Sequence, residues 1–166
     1  HKQHRTIQSD CTEFLPPDEI YSLITNPESQ VDYKRGIEKY HARDKALMAL
    51  MFLTSGRVNE VLQLRKSQFK EMKDLPQYGK VADPDILIIT NFWVSKRKKG
   101  KTHPILDIPL GRKGVLAPFT ALVEEYLPYL RRDEKLFEFG QSRAWVVVNH
   151  ITGGYDEEGN PIGRWN

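Results

Sequence analysis

FLTSGRVNEVLQL, residues 52–64, is the stretch whose reading decides the fold. An apolar run ends at Ser55-Gly56, Arg57 follows at once, and Val58, Val61 and Leu62 then recur at i, i+3, i+4 spacing. This pattern predicts a helix that stops at the Ser-Gly break and a shorter one that starts after it. Arginine at a helix N-terminus opposes the macrodipole, so local electrostatics disfavours Arg57 there. A position that breaks a local rule is a candidate functional position. Helix N-terminal amides attract anions, and a guanidinium beside them adds a bidentate clamp for phosphate or carboxylate. Glu60, three residues on, shares the face of Arg57 and is expected to hold the guanidinium in one orientation. On spacing alone, the plainer alternative of a structural Arg57–Glu60 pair with no ligand is favoured.

Upstream, VDYKRGIEKYHARDKALMALMFLT (31–54) reads as helical, with a break near Gly36. Its last part, ALMALMFL, is apolar all round, as a core helix is. LPPDEIYSLI (15–24) carries the marks of a helix start: Pro17 presets φ, Asp18 and Glu19 suit the positive end, and Ile20, Leu23 and Ile24 share a face. Asn26-Pro27 ends it. Residues 1–13 lack apolar periodicity and read as a linker or tail, leaving 14–166 as one partial domain.

Downstream, Pro and Gly mark 69–85 as a loop. ILIIT (86–90) and FWV (92–94) are β-branched and aromatic, and PILDIPL (104–110) is their expected partner, so a β-hairpin is predicted. Between them lies the basic SKRKKGKTH. APFTALVEEYLPYL (117–130) is helical, with Pro128 forcing a kink or an early end. SRAWVVVNHI (142–151) fits strand or helix; Ser142 as a cap and Gly153-Gly154 as a stop favour helix. The fold class expected is α+β, mainly α: a helical domain with a small antiparallel sheet.

The chain's 166 residues suit one domain with a real core. No segment approaches the ~18 apolar residues of a membrane span. Cys11 is alone, which excludes a disulfide framework and a Cys-based zinc site and makes a reducing, intracellular setting the default. His1, His4, His41, His103 and His150 form no recognised metal motif and read as surface, tail or hairpin residues; no metal or cofactor is expected. Trp93 and Trp145 are expected in the core rather than as base-stacking platforms. The net charge of +3 is modest, but KRKKGK at 96–101 concentrates it. Such a run is often only a solvated turn. On a hairpin it acquires a second reading, because a two-stranded ribbon enters a DNA groove and carries lysines to the backbone. Lys96, where the first strand ends, is better fixed than Arg97, Lys98, Lys99 and Lys101, and a positioned lysine serves as a general acid or a phosphate contact.

TSGRVNEVLQL resembles the first box of the tyrosine recombinases, the phage-integrase family, roughly T-G-x-R-x-x-E-hydrophobic-x-x-L. Thr54, Arg57, Glu60 and Leu64 fall on its fixed positions, and Ser55 stands where the family usually has glycine. FWVSK, the basic tip and DIPLG are similar to the family's lysine hairpin and its I/V-P-L strand, in the same order. The resemblance spans about residues 14–152. It implies the family's catalytic fold, with Arg57 as the first catalytic arginine and Glu60 its supporting acid. It makes Lys96 the hairpin lysine that protonates the departing 5′ oxygen, with Lys98 and Lys99 as rivals. Arg97, Lys98, Lys99 and Lys101 would contact double-stranded DNA. The family cuts and rejoins DNA through a 3′-phosphotyrosyl bond, which stores the phosphodiester's energy and needs neither ATP nor metal. It works as a tetramer on paired DNA sites; a cytoplasmic, nucleoid-associated location follows. The H-x-x-R box does not occur here, so no tyrosine, Tyr155 included, matches the nucleophile. With the chain starting at His1 and stopping at GRWN, an excerpt of a longer protein is expected, inactive in strand cleavage by itself. The alternatives are a non-catalytic DNA-binding regulator using the same hairpin and a helical interaction module whose Arg57–Glu60 pair is structural.

Overall fold

The structure, a computed structural model, describes residues 15–95, 104–153 and residue 158. It is mixed α+β and mainly helical, with one three-stranded antiparallel sheet. Helix α1 (Pro17–Thr25) starts at its proline with Asp18 and Glu19 in the first turn, and buries Ile20 and Ile24. Helix α2 (Ile37–Thr54) begins after Gly36, whose φ of 62° is a left-handed conformation that glycine adopts without steric cost. The expected break in 31–54 is therefore real, and only the second part is helix. Ala46, Leu47, Met48, Ala49 and Leu50 are all fully buried, which makes α2 the centre of the core. A single turn, α3 (Val58–Val61), follows; Val58, Val61 and Leu62 are buried as their spacing predicts.

The sheet is where sequence and structure part. The stretch read as a loop opens with an edge strand, β1 (Phe69–Glu71), and continues through short 3₁₀ turns. Three residues are too few to display a period of two, so only pairing reveals the strand: Phe69, Lys70 and Glu71 lie opposite Ile89, Ile88 and Leu87. The two apolar runs at 86–94 form one strand, β2 (Ile86–Trp93). Asn91 interrupts the pattern because its φ is 56° and the register shifts between Ile89 and Phe92. Asn tolerates that conformation better than β-branched residues do, and its N–H donates to Asp107 Oδ1 at 3.1 Å. Strand β3 (Ile105–Gly111) pairs with β2 from Ile86↔Gly111 to Trp93↔Ile105, as the hairpin reading expects.

Helix α4 (Ala117–Tyr126) lies along α2, with the Phe52 and Phe119 ring centroids 4.6 Å apart. Pro128 ends it in a 3₁₀ turn, Leu127–Tyr129. Helix α5 (Gln141–Thr152) confirms the helical choice for SRAWVVVNHI, but its cap is Gly140, and Ser142 stands inside the first turn. Trp93 and Trp145 are half-buried, and Trp145 packs against the hydrophobic core, as the core expectation has it. His41 is not a simple surface residue: it is half-buried, and its Nε2 donates to the Val31 carbonyl at 2.9 Å.

Two polar clusters fasten this frame. Asp44, fully buried, accepts from Tyr33 Oη at 2.5 Å and from Arg43 Nε at 3.0 Å. The Arg43 guanidinium lies 4.7 Å from both the Tyr40 and the Phe139 ring centroids. Burial raises the Asp44 pKa despite the Tyr33 hydrogen bond and the Arg43 charge; burial, then Asp44, pushes Tyr33 up to about 12. Arg112, just past β3, joins β1 to α4: Nη1 reaches Glu71 Oε1 at 2.7 Å and Nη2 reaches Glu124 Oε2 at 2.9 Å. Among the described residues no helix is long and apolar enough to cross a membrane, and no cluster of His, Cys, Asp and Glu is built to hold a metal.

Candidate functional site

The turn between α2 and α3 is shaped by contacts that its sequence encodes locally. Thr54 Oγ1 donates back to the Leu50 carbonyl at 2.7 Å and accepts the Gly56 N–H at 3.0 Å. Ser55 takes a left-handed conformation, φ 51°, which costs a non-glycine residue roughly 1 kcal/mol. Gly56 is required for space. A Cβ there would sit 2.8 Å from Thr54 Oγ1 and 3.0 Å from the Phe92 ring. The Ser-Gly break thus lets the chain pass against β2 and reverse into α3.

Arg57 is the N-cap of α3, with extended backbone (φ −75°, ψ 152°) and an exposed side chain. Its N–H donates to Glu60 Oε1 at 2.9 Å. The other carboxylate oxygen, Glu60 Oε2, accepts both the Ser95 N–H and the Ser95 Oγ–H, each at 2.8 Å. Burial alone would raise the Glu60 pKa, but these hydrogen bonds from Arg57 and Ser95, with the Arg57 charge, hold it below the ordinary carboxylate value.

The expected brace is corrected by this geometry. Glu60 grips the backbone of Arg57 and the end of β2, and no ion pair joins it to the Arg57 guanidinium. The guanidinium hydrogen-bonds to no described residue. The helix-dipole part of the sequence argument also weakens, because a four-residue helix has little macrodipole. What remains is an exposed cation on a backbone fixed by a buried carboxylate.

That cation lines a cavity of about 540 Å³, together with Met51, Gly56, Ser95, Gln141 and Trp145. Val58 and Asn59 complete its wall. The cavity is built from the end of α2, the start of α3, the end of β2 and the first turns of α5. Arg57 and Ser95, the residue before the basic tip, both line it, and Glu60 joins the two through hydrogen bonds. Lys96, Arg97, Lys98, Lys99 and Lys101 lie outside the described residues, as do His1, His4, Cys11, His103 and Tyr155.

Sequence reading missed Ser95 and Gln141, and it weighed Trp145 as core against a base-stacking platform without placing it beside Arg57. Ser95 carried a faint signal, since it adjoins the lysine singled out at the strand end. Gln141 carried none, and the place of both Gln141 and Trp145 beside Arg57 depends on how α5 packs. Comparisons with protein-family models, curated proteins and solved structures find no match to this chain.

Proposed function

We propose that this chain contributes the first arginine box and the lysine hairpin of a tyrosine-type site-specific DNA recombinase. One observation carries this reading: the exposed Arg57 guanidinium has no ion-pair partner among the described residues and lines the cavity, while Glu60 ties its backbone to Ser95, the residue before Lys96. The two sequence features with the family's resemblance are thereby linked through one carboxylate. In this reading Arg57 binds the non-bridging oxygens of the scissile phosphate, where negative charge gathers in the pentacoordinate transition state. Glu60 fixes the backbone that carries this guanidinium, which limits the reorganisation needed as the charge develops. Lys96 protonates the departing 5′ oxygen. Arg97, Lys98, Lys99 and Lys101 contact the backbone of double-stranded DNA, and a tyrosine following an H-x-x-R box attacks. No cofactor is required, and the working form is a tetramer in the cytoplasm on nucleoid DNA.

The test uses a longer form of the protein that includes the nucleophile, with a nicked suicide substrate that traps the covalent adduct. Arg57→Ala should lower adduct formation by about a hundredfold or more. Lys96→Ala should depress cleavage far more than binding, and a 5′-thio leaving group should restore much of it. Normal adduct formation by the Arg57→Ala protein would sink the assignment. DNA binding with no adduct from any form would favour the non-catalytic regulator.

A further inference from the structure

The Arg57 cavity is larger and chemically more varied than a phosphate alone requires. Its wall carries a half-buried indole, Trp145, the thioether of Met51 and the side-chain amides of Gln141 and Asn59. Gln141 is exposed in the first turn of α5, and no described residue hydrogen-bonds to its amide. A cation, an indole and side-chain amides with no hydrogen-bond partner among the described residues line one cavity and match the three parts of a nucleotide. The guanidinium takes the phosphate, the indole takes a flat ring or sugar face, and the amides offer donors and acceptors to a polar edge.

We infer that Trp145 and Gln141 form a nucleoside subsite beside Arg57, which receives the nucleotide attached to the bound phosphate. The inference rests on the phosphate reading of Arg57 and adds to it the residues that contact what lies next to the phosphate. A phosphorylated phenol would also present a ring and a phosphate. The amides favour the nucleotide, because a nucleobase has hydrogen-bonding edges and a phenyl ring has none.

Isothermal titration calorimetry on the 166-residue chain, with thymidine 3′-phosphate, inorganic phosphate and phenyl phosphate as probes, tests this. Thymidine 3′-phosphate should bind at least about fivefold more tightly than inorganic phosphate, the advantage expected from one stacked base. Trp145→Leu should erase that ratio without changing inorganic phosphate binding, and Trp145→Phe should restore most of it. Gln141→Ala, at an exposed position that folding tolerates, should reduce the ratio about twofold or more. A ratio near one in the unmodified chain, or a ratio that survives Trp145→Leu and Gln141→Ala, overturns the subsite. If Arg57→Ala still weakens all three probes, the phosphate reading stands without it. Probe binding indifferent to Arg57→Ala overturns both. Phenyl phosphate binding as tightly as thymidine 3′-phosphate overturns the nucleoside assignment in favour of a phosphoaryl ligand.

Discussion

Arg43 and Arg57 stand near opposite ends of one core helix and have opposite circumstances. Arg43 is saturated: its guanidinium pairs with buried Asp44, donates to Tyr33 Oη at 2.8 Å and lies over two aromatic rings at 4.7 Å. Arg112 is engaged in the same way by Glu71 and Glu124, whose hydrogen bonds raise its pKa further. Arg57 has its backbone fixed by Glu60, yet its guanidinium forms no ion pair with any described residue. The first two arginines form ion pairs inside the fold, whereas the third forms none among the described residues. Composition does not separate the two kinds; packing alone shows which cation lacks an ion-pair partner among the described residues.

That contrast can be broken by mutation, and the expected costs form a descending series. Asp44→Ala leaves Arg43 and Tyr33 without their buried acceptor and should destabilise the fold by about 3–5 kcal/mol in urea unfolding. A loss below about 1 kcal/mol would show that the Arg43 cluster is no more structural than Arg57.

Glu60→Gln should cost about 2 kcal/mol, since an amide cannot accept from Arg57 N–H on one side and from both Ser95 donors on the other. The pH dependence follows from the lowered Glu60 pKa. The wild-type contribution is fully present above the ordinary glutamate value near 4.5 and is lost as pH falls through the lower folded value. Acid titration of stability should therefore be flatter in Glu60→Gln than in wild type, and parallel curves would remove Glu60 from the latch.

Arg112→Ala breaks a network in which Arg112, Glu71 and Glu124 keep 27%, 31% and 34% of their side-chain exposure. Screening by solvent limits its expected cost to about 1 kcal/mol, shrinking as salt is added. Arg57→Ala should be the smallest, within about 0.5 kcal/mol of wild type, because no described partner is left behind. A larger loss of stability from Arg57→Ala would mean that its guanidinium has a structural partner after all.

Much of the frame was legible in the residues. The apolar run 46–53, the 58/61/62 spacing, Pro17, Gly36 and Pro128 each encode structure within a few neighbours, and α1, α2, α3 and α4 appear where those signals put them. β1 escaped because three residues show no periodicity, and its partner lies in a strand after an intervening run of 3₁₀ turns. The division of 86–94 into two runs recorded a real feature, the bulge at Asn91. Ser142 was misread as a cap because glycine at 140 does that duty with no side-chain signal.

At the site the same boundary between local and distant information holds. The sequence by itself determined that Arg57 begins a helical turn after a break needing a residue as small as Gly56, and that Glu60 lies one turn away. Tertiary structure alone decided that Glu60 would reach Ser95, that the guanidinium would form no ion pair among the described residues, and that Arg57 would line a cavity with Trp145 and Gln141. Capping and periodicity are set by backbone geometry over one or two turns. A cavity wall is set by how whole elements pack, and no local rule carries that information.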